Sequence, residues 1–154
     1  MTTEFVYVTY INAMPQTVWN ALLDNKMIRQ YWGRHKNVSD WKVGSIWLHQ
    51  DYDSDTTDIE GKVVACDEPT RLILTWVGAA EDLRSEKPSR VVFHVEPFLD
   101  VTRLTLTHDE LEPDSKMFAG IKAGWPTVLS SLKTLLETGS PLHMTTKRWN
   151  GPPE

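Results

Sequence analysis

Cysteine is nearly absent: Cys66 is the only one in 154 residues, which excludes an intrachain disulfide and a thiolate zinc site. There is no basic excess either. Lys plus Arg number 16 against 21 Asp plus Glu, a formal net charge of −5. Nucleic-acid binders carry a basic stripe and membrane-surface proteins a polybasic patch, so neither nucleic acid nor membrane is an expected partner. No apolar run approaches the ~20 residues of a membrane span. Met1-Thr2-Thr3-Glu4 lacks the charged-then-apolar design of a signal peptide, so the expected location is the cytoplasm. A G-x-G-x-x-G or Walker loop and a G-x-S-x-G elbow are also missing, so no cofactor and no serine nucleophile at Ser130 or Ser131 are expected. The acidic run from Asp51 to Asp58 lacks the glycine and glutamate of a calcium loop. His49-Gln50-Asp51 and His108-Asp109-Glu110 place neighbouring residues on opposite strand faces, so no metal site is expected.

What the chain does have is tryptophan, seven in all: Trp19, Trp32, Trp41, Trp47, Trp76, Trp125 and Trp149. Indole is large and carries one N–H that seeks a partner, so it suits core edges, interfaces and pocket walls. A bulky core and an aromatic-lined pocket both fit this composition.

The length suits one domain, read as residues 1 to 140 with a polar, proline-rich tail over 141 to 154 on which Trp149 could dock. Glu4 to Ile11, rich in β-branched and aromatic residues, predicts a strand buried on both faces. Pro15 opens a short helix to about Leu23, with Met14 a poor cap. Asp24 or Asn25 caps a second, whose apolar face is Met27, Ile28, Tyr31 and Trp32 and whose stop is Gly33. Six strands follow between Val38 and His108, joined by short turns, with Gly61 marking a bulge and residues 78 to 88 a loop. Short connections favour an antiparallel meander. Ser115 to Thr138 then predicts a long helix, capped by Asp114 or Ser115 and ended by Gly139. At 1.5 Å per residue it reaches roughly 36 Å, enough to cross the sheet. Pro126 predicts a bend or a break, and Gly120 and Gly124 weaken the half before it.

Strand, two short helices, six strands and a long C-terminal helix make the α+β helix-grip order, a curved antiparallel sheet of about seven strands around one helix. Several segments carry a more specific resemblance: FVYVTYI, MPQTVW, the YWG at Tyr31, SDWKVGS, GKVVACDEPTRLILTW and AGWPTVLSSLKTLLETG. In this order, from about Glu4 to Gly139, they resemble the bacterial branch of the heat-shock-protein-90 ATPase activator homologues. That branch lies within the START/polyketide-cyclase-like (SRPBCC) superfamily. The resemblance implies a cavity between sheet and long helix in a stand-alone ligand-binding protein, without the N-terminal chaperone-engaging domain of the eukaryotic activators. It also brings in association with the stress response.

If the long helix covers the concave face, strand parity points Leu74 and Trp76 inward from one strand, Phe93 from the next, and Leu106 and His108 from the last. The family's pattern turns Trp47 and His49 inward as well, while Met117, Ile121 and Trp125 form the roof. Such a site would be apolar and aromatic with few polar groups, as small-molecule pockets are. His108 and His49 are its candidate acid–base or ligand-orienting groups. Equally, His108 fits a buried neutral histidine and His49 a solvent-facing one. The leading reading is a non-enzymatic carrier or sensor of a small hydrophobic molecule, aromatic, polyketide-like or lipid-like. A cyclase- or hydrolase-type enzyme using a cavity histidine and a protein-interaction or chaperone co-factor role stay open, as does a homodimer.

Overall fold

A computed structural model describes residues 1–148; the expected docking of Trp149 and the last residues of the tail lie outside that range. Strand β1 runs over Thr3–Ile11, helix α1 over Pro15–Leu23 and helix α2 over Asn25–Tyr31. Met14 caps α1 with no side-chain bond, whereas the Asp24 carboxylate accepts from the Lys26 N–H and closes the start of α2. Strands β2 (His35–Ser39), β3 (Ile46–Asp51), β4 (Thr57–Asp67) and β5 (Arg71–Gly78) follow. Helix α3 (Glu81–Arg84), strands β6 (Ser89–Phe98) and β7 (Val101–Leu111), and helix α4 (Lys116–Thr138) complete the domain.

The seven strands form one antiparallel sheet in the order β1-β7-β6-β5-β4-β3-β2. Only one face is covered, so alternation along the strands sorts the side chains. Leu72, Leu74 and Trp76 point inward from β5, Val91, Phe93 and Val95 from β6, and Leu104, Leu106 and His108 from β7, all buried. On α4 the buried positions Ile121, Trp125, Val128, Leu129, Leu132 and Leu135 recur at helical spacing and close over that face. The Ser115 hydroxyl accepts from the Phe118 N–H, and Gly139 ends the helix at φ 88°, a conformation that costs glycine little.

Three expectations need correction and a fourth is narrowed. β1 is not buried on both faces: it is a sheet edge, and Val6, Val8 and Tyr10 on its outer face are exposed. The segment after β5 is not all loop, because Glu81–Arg84 forms one helical turn. Of the two outcomes expected at Pro126, a bend or a break, the break does not occur, since the long helix runs through it as a single element. Finally, Gly61 is not the bulge. The β4–β5 register slips between Val63 and Ala65 instead, while Gly61 lies opposite Trp47.

Gly61 has a different task. The Trp47 indole crosses over it, so that its N–H donates to the carbonyl of Thr75 on β5 at 2.8 Å. Beyond α4, a 3-10 turn over His143–Thr146 packs back onto the body. The buried Thr145 hydroxyl lies 2.7 Å from that of Ser131 and 2.9 Å from the carbonyl of Gln30.

Candidate functional site

Between α4 and the β2–β5 end of the sheet lies a cavity of about 350 Å³. Trp76 stands on its sheet wall, Trp32 enters from the end of α2, and Met117, Ile121, Trp125 and Val128 descend from α4. The three indoles are packed against one another: Trp76 and Trp125 have ring centres 5.4 Å apart, Trp32 and Trp125 5.2 Å. Gly120 and Gly124 also line the roof, and a β-carbon built on either meets nothing within 4 Å. The helix therefore leaves volume open where larger residues would fill it.

The polar part of the lining comes from β2, β3 and β4. Those strands turn His35 and Asn37, then Trp47, His49 and Asp51, to the inner face. The His35 and His49 rings are stacked, with centres 4.3 Å apart and planes parallel to within 4°. His35 Nδ1 lies 2.8 Å from the carbonyl oxygen of Gly33, and Nε2 lies 2.6 Å from a carboxylate oxygen of Asp58. Both ring nitrogens of His35 are therefore engaged. The guanidinium of Arg148 donates to the other oxygen of Asp58 and lies 3.3 Å from Asp51. The Ser54 N–H, and after it Arg148, hold the Asp51 carboxyl well below the usual carboxylate range.

His49 differs from His35. Its Nδ1 lies 2.7 Å from the side-chain oxygen of Asn37, so Nδ1 carries the proton and Nε2 keeps its lone pair. Burial foremost, with His35 and Arg148 adding to it, holds its pKa far below the ordinary histidine value.

Of the ten residues singled out from sequence, His49, Trp76, Met117, Ile121 and Trp125 line the cavity, whereas Trp47, Leu74, Phe93, Leu106 and His108 do not. These five point inward but sit in the layer behind. The clearest case is His108, fully buried between Trp76 and Trp125. Trp125 Nε1–H donates to His108 Nδ1 at 3.0 Å, so Nε2 bears the proton and donates to the Ser89 hydroxyl at 2.8 Å. Both nitrogens are occupied, which leaves no free group for acid–base work on a cavity occupant. The lining residues that sequence reasoning did not single out are Trp32, Gly33, His35, Asp58, Ile59, Leu83, Lys116, Gly120, Gly124 and Val128. The inward parity of His35 and Asn37 was the signal available for the polar corner.

Burial pushes the His108 pKa down to about 4. Between its ordinary value near 6.5 and about 4, the unfolded chain binds a proton that the folded protein refuses. Stability is therefore full above pH 6.5 and falls as the pH drops towards 4, by up to about 3 kcal/mol from this residue. Urea denaturation across that range is expected to show the loss, and His108→Leu, though less stable throughout, a shallower slope. Equal slopes would assign the loss to other groups.

An antiparallel sheet gripped by one long helix, with a cavity between them, defines a helix-grip protein of the START-like class. The chain belongs to the family of activator of Hsp90 ATPase homolog 1-like proteins, whose model matches residues 12–137. Its fold is similar to that of MLL2253 from Mesorhizobium loti, at 26% identity and TM-score 0.75 over 88% of this chain and 97% of that one. It is also similar to CalU16 from Micromonospora echinospora, at 22% identity and TM-score 0.72 over 92% and 78% of the two chains. A third likeness is to the Aha1 dimer from Colwellia psychrerythraea, at 20% identity and TM-score 0.68 over 89% and 98%. No curated protein matches the chain. Among the described residues, no helix is long and apolar enough to cross a membrane.

Proposed function

We propose that the protein binds a small, mainly apolar molecule in the cavity and acts as a non-enzymatic carrier or sensor. The observation that carries this reading is the roughly 350 Å³ of open volume walled by Trp32, Trp76 and Trp125, a size and lining typical of small-molecule sites. Flat indole walls suit a planar aromatic molecule better than a flexible acyl chain, which loses more conformational freedom on binding. His108, the strongest sequence candidate for catalysis, has both nitrogens engaged, and this favours binding over turnover.

Tryptophan fluorescence against a panel of uncharged one- to three-ring aromatics and of fatty acids tests the proposal. A saturable change with the aromatics supports it; a flat response to the whole panel removes it. For a protein partner we favour a second copy of the chain, on the likeness to a dimeric relative and on the apolar outer face of β1. Light scattering that returns only a monomer mass would count against that.

A further inference from the structure

This inference deepens the proposed function and rests on it: it concerns which functional group the cavity recognises. Most polar groups of the lining are already committed. His35 is bonded at both nitrogens. Asp58 is held by His35 and Arg148, and Lys116 by Asp82. The indole N–H of Trp125 donates to His108, and that of Trp76 lies 3.2 Å from the sulfur of Met117. His49 and the indole N–H of Trp32 are the exceptions, and His49 supplies the acceptor. His49 is only 5% exposed and lines the cavity, yet Nε2 has no partner among the described residues. Nor is that nitrogen sealed in, since no fully buried side-chain nitrogen or oxygen lacks a partner there.

The tautomer is fixed from behind. Asn37 takes the Nδ1 proton, and the Asn37 backbone is clasped on both sides by the Asn25 side chain, at 2.8 and 3.0 Å. What reaches the cavity is therefore an acceptor. From this geometry we infer that the cavity selects an uncharged aromatic molecule bearing a hydroxyl, which donates its hydrogen bond to His49 Nε2. Burial keeps the ring neutral near pH 7, so the acceptor persists there. Trp32, with its ring centre 4.7 Å from that of His49, also carries an indole N–H with no partner among the described residues. A hydroxyl both donates and accepts, and so could serve both.

Three probes of matched size separate this inference from the reading beneath it: 2-naphthol, 2-methoxynaphthalene and naphthalene, titrated by NMR. 2-Naphthol is expected to bind about 5- to 10-fold more tightly than its methyl ether. That preference should vanish in His49→Phe, which keeps a ring in the stack but removes the acceptor. Because His49→Phe strips Asn37 of its partner and could unfold, the nitrogen-15 signal of His49 in the unaltered protein provides a second readout. On adding 2-naphthol the Nε2 resonance should move upfield, as an accepting nitrogen does, and on adding naphthalene it should stay. Equal affinities for all three probes with an unmoved resonance would overturn the inference and leave the cavity reading standing. Failure of all three to bind would remove both.

Discussion

Gly61→Ala is expected to destabilise the fold by about 3 kcal/mol or more, a shift of roughly 10 °C in the thermal midpoint. A β-carbon there would stand 1.9 Å from the carbonyl oxygen of Thr75 and 2.6 Å from the indole nitrogen of Trp47. The first of these is backbone and cannot swing aside. Either β4 parts from β5, or Trp47 leaves its place, loses its bond to Thr75 and breaks contact with Trp76, 5.4 Å away centre to centre. Overpacking a well-filled core costs about 1–3 kcal/mol and a buried hydrogen bond about another 1. Thermal denaturation followed by circular dichroism reads the effect. A loss below about 1 kcal/mol would mean that Trp47 does not need the space above Gly61.

The second large effect concerns occupancy of the cavity. Gly124→Phe is expected to abolish binding of small aromatics, a fall of at least about 100-fold, or about 2.7 kcal/mol, while the protein stays folded. The position lies on the cavity-facing side of α4 with open space before it, so a benzyl group enters the volume a ligand would use. Helix propensity works in the same direction as folding, since glycine is among the poorest helix formers. Gly124→Ala is the control: it should stabilise the helix by about 0.5–1 kcal/mol and leave room for a ligand. Wild-type affinity in Gly124→Phe would show that binding, where it occurs, occurs elsewhere.

Much of the architecture was legible because one-sided burial writes a period-two pattern into β5, β6 and β7. The caps of α4, Ser115 and Gly139, are spelled out locally as well. Depth was not legible. Parity says that Leu74, Phe93, Leu106 and His108 point inward, and the family's pattern says the same of Trp47, but neither says that Trp76 and Trp125 stand between some of them and the open volume. The polar corner escaped for a different reason. His35 and Asn37 occupy inward positions on β2, where a search for apolar alternation has nothing to register. Gly61 was misread because a glycine in a strand signals either a bulge or a close approach, and only the path of Trp47 decides between them. The single turn of α3 has no apolar periodicity to announce it, and all four of its residues lie outside the core.

The central claim is that the space beneath Gly120 and Gly124 admits an aromatic guest. Nuclear Overhauser contacts between naphthalene and the protein, with the methyl groups of Met117 and Ile121 labelled, test it most directly. Cross-peaks from the naphthalene protons to both methyls and to the indole protons of Trp76 and Trp125 are the predicted result. Saturating naphthalene that leaves those signals unmoved, or contacts only the exposed side chains of β1, would contradict it.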